Sequence, residues 1–254
     1  MTISRFIPLL GLFCLLLAGC GKKQSGYDYK VAFDPAWHSL EMPGRENSLT
    51  AFTAELIEAI GAVENLKIGV YQRSWSNLML GLQENDYEAV CTPMQPYIFY
   101  EKLYIFSEIY LPTGPILVVG ASATWNSLSQ LAGREVGIVR GTPYALILEK
   151  YPDVLQRTYN SAPAALEDLK QGIIDAMLLD ILTAEAYMHD LYQGELKISS
   201  TPLTQEGVRL VGLTGKSEVL IRRFNKGLAR LKSNGTYNKI AKKWNLSESL
   251  EEAK

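Results

Sequence analysis

The 254-residue sequence is poor in the groups from which enzymes and metal centres are most often built, with three cysteines and two histidines in all. His38 and His189 lie far apart without ligand spacing, so no metal site is expected. No Gly-x-Ser-x-Gly elbow occurs. Gly215-Lys216-Ser217 looks like the end of a phosphate loop, but Leu210 stands where that loop needs its first glycine, and a turn is expected instead. Neither sign of charge dominates: 25 basic residues against 27 acidic ones, with no basic stripe, do not suggest a nucleic-acid partner. No low-complexity segment interrupts the chain, and nothing implies a cofactor.

An apolar run, Phe6 to Leu17, follows the single positive charge Arg5. It has the length of a signal-peptide core and is shorter than the roughly 20 residues of a membrane span. It ends in Leu17-Ala18-Gly19-Cys20, which resembles a bacterial lipobox. The expectation is a lipoprotein signal peptide over residues 1–19 and lipidation (palmitate) at Cys20. A small, polar tether then covers residues 20–27, so the chain is anchored to the membrane through lipid alone. An ordinary secretory leader is the alternative. With Cys14 removed and Cys20 acylated, Cys91 has no disulfide partner; at the end of an apparent strand it is expected to be a buried small residue and not a nucleophile.

Beyond the tether, short β runs alternate with helical periodicity, the mark of an α/β fold. Strands are expected at Lys30–Phe33, Leu66–Tyr71, Pro115–Val119, Glu135–Val139, Ile173–Leu179 and Leu210–Leu213. Helical stripes are Phe52/Leu56/Ile57/Ile60, Trp75/Leu78/Met79/Leu82 behind Ser74, Ala162/Ala165/Leu166/Leu169 behind Ser161, and Leu220/Phe224/Leu228/Leu231. Gly141-Thr142-Pro143 is expected to open a further helix, and Asn234-Gly235 to separate the last two, the second ending near Trp244. Pro112-Thr113-Gly114-Pro115 is a natural crossover between two lobes.

Several segments, in order, carry a resemblance. They include Asp34-Pro35-Ala36-Trp37, Ser74-Trp75, Asp86-Tyr87-Glu88-Ala89-Val90, Phe106-Ser107 with Tyr110, and Leu131-Ala132-Gly133 with Val136-Gly137-Ile138. Arg140-Gly141-Thr142, Gly172-Ile173-Ile174-Asp175-Ala176 with Asp180, and Lys232-Ser233-Asn234-Gly235-Thr236-Tyr237 with Lys243-Trp244 follow. In this order the chain resembles the bacterial extracellular solute-binding proteins of family 3, which serve polar amino-acid ABC transporters. The resemblance implies a two-lobed periplasmic-binding-protein-like fold of type II, with a cleft between lobes joined by two hinge strands. Residues 28–113 and the return segment 206–245 would form lobe 1, residues 114–205 lobe 2, and 246–254 a tail. It implies a monomer on the periplasmic or outer side of a bacterial membrane, handing a small amino-acid-like ligand to a permease. A periplasmic dehydratase acting on a cyclic acid (cyclohexadienyl-dehydratase-like) and a sensory module are the other classes; the chain's end at Lys254 speaks against the second.

The resemblance also implies the site. Trp37 and Trp75 would be the aromatic walls of the cleft, Asp180 the partner of a ligand ammonium, and Asp34 an acid facing a cationic side chain. Gly141 and Thr142 would form part of the carboxylate pocket. The family's carboxylate-binding arginine falls on Tyr100 and a nearby hydroxyl residue on Pro93, leaving Thr92 and Gln95 as polar neighbours. Tyrosine offers one neutral hydroxyl and proline no N–H, so the usual clamp lacks two parts. Either Arg140 or Arg73 supplies the charge, or the ligand lacks a free α-carboxylate, or the site has lost small-molecule binding.

Overall fold

The computed structural model describes residues 26–35 and 46–246; the expected leader, Cys20, most of the tether, Trp37 and His38 lie outside them. The first half runs β1 (Tyr29–Phe33), α1 (Glu46–Glu64), β2 (Ile68–Gln72), α2 (Trp75–Gln83), β3 (Ala89–Thr92), α3 (Ile98–Glu101) and β4 (Tyr104–Pro112). Next come β5 (Pro115–Gly120), β6 (Glu135–Val139), α4 (Ala145–Leu148), β7 (Leu155–Tyr159), α5 (Ala162–Lys170), β8 (Ala176–Asp180), α6 (Ile181–Asp190) and β9 (Leu196–Ile198). The chain closes with β10 (Gly207–Leu213), α7 (Glu218–Ser233) and α8 (Thr236–Lys243).

The strands make two five-stranded sheets, ordered β2-β1-β3-β10-β4 and β7-β6-β8-β5-β9. β1, β2 and β3 are parallel, as are β6, β7 and β8; β10 runs antiparallel to β3 and β4, and β5 antiparallel to β8 and β9. The chain passes between sheets twice, at 112–115 and 203–207, and these passages are bonded together. The amide of Thr113 donates to the carbonyl of Glu206 (3.1 Å), and that of Leu203 to Pro115 (2.8 Å). Gly114 permits this approach: a Cβ there would stand 2.5 Å from Thr204 Oγ1.

The helical stripes bury the faces that their spacing predicts. Phe52, Leu56, Ile57 and Ile60 of α1 pack in one core with Phe224, Leu228 and Leu231 of α7, each such side chain contributing about 1.5–3 kcal/mol. On the other face of that sheet Leu78 and Leu82 of α2 meet Ala32, Val90 and Val211. At the edge of the first core the Glu64 carboxylate, 1% exposed, accepts from Arg223 Nε (2.7 Å) and Arg230 Nη1 (2.8 Å), tying α1 to α7. Cys91 is buried and its thiol is pushed up to about 12 by burial, which leaves no thiolate to act as a nucleophile.

Three expectations are corrected. The helix expected from Gly141 begins at Ala145, because Gly141 is left-handed (φ 86°) and Pro143 removes an amide. The strand expected from Ile173 begins at Ala176: Gly172 (φ 73°) ends α5 in a turn that leaves Ile173 exposed. β2 lies at Ile68–Gln72 and not Leu66–Tyr71, since Leu66 still bonds back to Gly61 at the end of α1. Gly215 (φ 84°) does sit in a turn, as expected.

Candidate functional site

In a parallel α/β sheet the strand ends leave polar groups in the crevice beside them. Asp34 directly follows β1 and is buried. Arg73 follows β2, and its amide donates to the Phe33 carbonyl (3.0 Å), so the ends of β1 and β2 are neighbours. Its guanidinium folds onto the Gln72 carbonyl (2.8 Å) and lies 6.0 Å from the centre of the Tyr71 ring. Trp75 opens α2 at 51% exposure while Leu78 and Leu82 of the same stripe are buried, so its ring stands out of the core. Ser74 holds the cap position, but its hydroxyl accepts from Asn77 Nδ2 (3.2 Å) instead of a backbone amide.

Thr92 ends β3, buried, with its hydroxyl accepting from the amide of Met94 (3.3 Å). The Gln95 side-chain amide turns back to the Pro93 carbonyl (3.4 Å). Tyr100 lies in α3, its ring 4.3 Å from that of Phe99 and 6.1 Å from that of Tyr104, centre to centre. It belongs to an aromatic group with Tyr97 whose outer members, Tyr97 and Phe99, are exposed.

On the second sheet Asp180 ends β8 and caps α6, Oδ1 accepting from the amide of Thr183 (2.9 Å). One capping bond is compatible with a second partner, because an ionised carboxylate has about four acceptor sites. Asp180 pairs with Pro115 across β5, and the next amide, Ile181, donates to the Gly114 carbonyl (3.3 Å); the acid therefore stands beside the passage between sheets. Burial, then the charges of Asp180 and Glu206, push the nearby Tyr144 phenol well above its usual range.

Arg140, Gly141 and Thr142 form a turn after β6. Arg140 is exposed, with Nε on Asn160 Oδ1 (3.2 Å), and both the amide (3.3 Å) and hydroxyl (2.7 Å) of Thr142 donate to the Val139 carbonyl. The expected helix N-terminus is thus absent here, and the Thr142 donors already have an acceptor.

Sequence reasoning missed Arg209. It lies in β10 opposite Thr92, 8% exposed, with Nη2 on the Gln205 carbonyl (3.3 Å) and a buried Nε that has no partner among the described residues. A charge interrupting the apolar run Val208–Val211 was the available signal. An open concavity of about 690 Å³, lined by Tyr27, Asp28, Gly61 and Lys67 among others, lies at the opposite, N-terminal ends of β1 and β2 and holds none of these residues.

Residues 29–247 match the bacterial extracellular solute-binding proteins, family 3. The chain belongs to this family. Among relatives of this solute-binding protein, the arginine-binding periplasmic protein of Mannheimia haemolytica is 25% identical over 90% of this chain and 95% of its own. The L-cystine-binding protein TcyJ of Escherichia coli (strain K12) is 24% identical over 84% and 81%. Among solved structures, the L-cystine solute receptor of Neisseria gonorrhoeae matches with a TM-score of 0.70, at 19% identity over 87% of this chain and 94% of the receptor. The fold of this solute-binding protein is thus the two-lobed type II arrangement expected from its sequence. Among the described residues no helix is long and apolar enough to cross a membrane.

Proposed function

We propose that this solute-binding protein captures an amino acid, or an amine-bearing solute like one, by closing its lobes, and presents it to an ABC permease without chemically changing it. Lobe 1 comprises residues 28–113 and 206–245, lobe 2 residues 114–205, and the passages at 112–115 and 203–207 are the hinge. The observation that carries the reading is that polar and aromatic groups follow the strands at the end of the first sheet where both passages join it, while an acid stands beside the first passage in the second sheet. Asp34, Arg73, Trp75 and Thr92 stand at strand ends of one sheet, and Asp180 stands beside Gly114 in the other. Burial between two closing surfaces desolvates a small polar ligand and strengthens each charged contact. The named ligands of the relatives, arginine and L-cystine, are both amino acids, in keeping with an acid that meets an ammonium.

Within this reading Asp180 holds the ammonium, Trp75 and Trp37 flank the ligand, and Asp34 faces its side chain; Thr92, Pro93, Gln95, Tyr100 and the Arg140–Thr142 turn line the cleft. The chain works as a monomer on the periplasmic or outer side of the membrane, held by lipid at Cys20. A thermal-shift screen of the chain from Gly21 onward against amino acids, amines, dipeptides and organic acids tests it. A ligand at about 100 times its Kd stabilises by roughly 2.7 kcal/mol, and a panel without any shift refutes the reading.

A further inference from the structure

A buried guanidinium with one hydrogen bond is an expensive group to keep. Arginine carries five N–H donors, and taking its charge out of water is costly unless a partner compensates. Among the described residues the side chain of Arg209 makes the single bond to Gln205, and no carboxylate lies within 4 Å of it. β10 contains no other charge. Arg209 and Thr92 are directly opposed on the sheet face that also carries Val90 and Val211, at the strand edge where Thr92 gives way to Pro93. The bond to Gln205 turns the guanidinium toward the second passage.

The surroundings along that passage are equally unfinished. Thr204, next to Gln205, has a buried hydroxyl with no partner among the described residues, standing where a side chain on Gly114 would be. The Gly114 carbonyl accepts from Ile181, next to Asp180. A buried arginine with an unpartnered Nε and a buried, unpartnered hydroxyl thus lie on or next to the second passage, and a residue bearing a carboxylate pairs with the first.

We infer that Arg209 anchors the carboxylate of the captured solute, from β10, in place of the arginine that the family pattern would put at Tyr100. This rests on the solute-capture reading and specifies its ligand: a free carboxylate is required as well as an amine. A guanidinium in this position offers parallel donors to two carboxylate oxygens. Burial depresses its pKa, with Glu108 opposing, yet an arginine starts so high that it stays charged. Arg140 and Arg73, exposed and folded onto neighbouring acceptors, are less suited to the role.

The test is titration calorimetry on wild type, Arg209→Met and Arg209→Lys, with three matched sets of probes: L-arginine, L-argininamide and agmatine; L-glutamine and its amide; L-cystine and cystamine. Wild type is expected to prefer the free acid of its ligand over the amide or amine by about 10- to 100-fold. Arg209→Met abolishes that preference, and Arg209→Lys retains part of it. Without ligand, Arg209→Met melts at or above the wild-type temperature, because an apolar side chain replaces a charge with too few partners; an arginine with a merely structural role would lower it. Should Arg209→Met fail to fold, the wild-type ratio and Arg209→Lys still decide. Equal binding of acid and amine by wild type, or an undiminished preference in a folded variant, overturns the inference and leaves solute capture standing. Failure of every probe to bind overturns both.

Discussion

Replacing Asp180 by asparagine removes a negative charge while preserving a helix cap, and that separation makes it the most informative single change in the protein. Asp180 Oδ1 accepts from the amide of Thr183 at the start of α6, and asparagine caps about as well as aspartate. The lost charge at the helix N-terminus contributes about 0.3–1 kcal/mol to the cost in folding. The cost to binding is larger, because a charge-assisted hydrogen bond to a ligand ammonium is worth about 1.5–3 kcal/mol, or roughly 10- to 100-fold in Kd. Asp180→Ala is the control: it loses the same ligand contact and the cap as well, with about 1 kcal/mol of additional destabilisation. Calorimetry with the ligand found in the thermal screen, run beside urea unfolding of both variants, gives the two quantities separately. If Asp180→Asn binds as tightly as wild type, Asp180 is only a cap, and the ammonium site must be sought elsewhere.

Other parts of the structure make equally definite claims. At the Glu64 network the cost depends on which partner is removed: Arg223→Ala with Arg230→Ala strands a buried carboxylate and costs about 3–5 kcal/mol. Glu64→Gln leaves two part-exposed arginines that solvent can reach and costs about 1–3 kcal/mol, so equal losses in urea unfolding would contradict the account. Trp75→Ala changes stability by no more than about 0.5 kcal/mol while weakening ligand binding roughly 2- to 10-fold, whereas Leu78→Ala, from the same stripe, costs about 2–5 kcal/mol. The reverse pattern would place Trp75 in the core. Cys91, buried and with its thiol pushed up to about 12, resists alkylation at pH 8 in the native protein and reacts once urea unfolds it; rapid native labelling would refute its burial.

The legible parts of the fold are those where one face is buried and the other wet. Phe52, Leu56, Ile57 and Ile60, and again Leu220, Phe224, Leu228 and Leu231, announce their helices because only a stripe of each enters the core. α6 is buried along nearly its whole length and shows no stripe, while β7 at the sheet edge is exposed and shows no alternation; neither was legible. The site divides in the same way. Asp34 and Asp180 each close an apolar run and the fold sets them at strand ends, whereas Thr92 was singled out only through the family resemblance. Arg209 and Tyr144 depend on long-range neighbours, Thr92 on another strand for one and Asp180 with Glu206 for the other, and spacing along the chain carries no trace of such proximity.

The central claim is that a solute is captured between two lobes that close on it. Small-angle X-ray scattering of the chain from Gly21 onward, with and without a saturating ligand identified by calorimetry, tests closure and capture together. A stoichiometric titration accompanied by a smaller radius of gyration is the predicted result. Saturating binding at an unchanged radius of gyration would contradict the account.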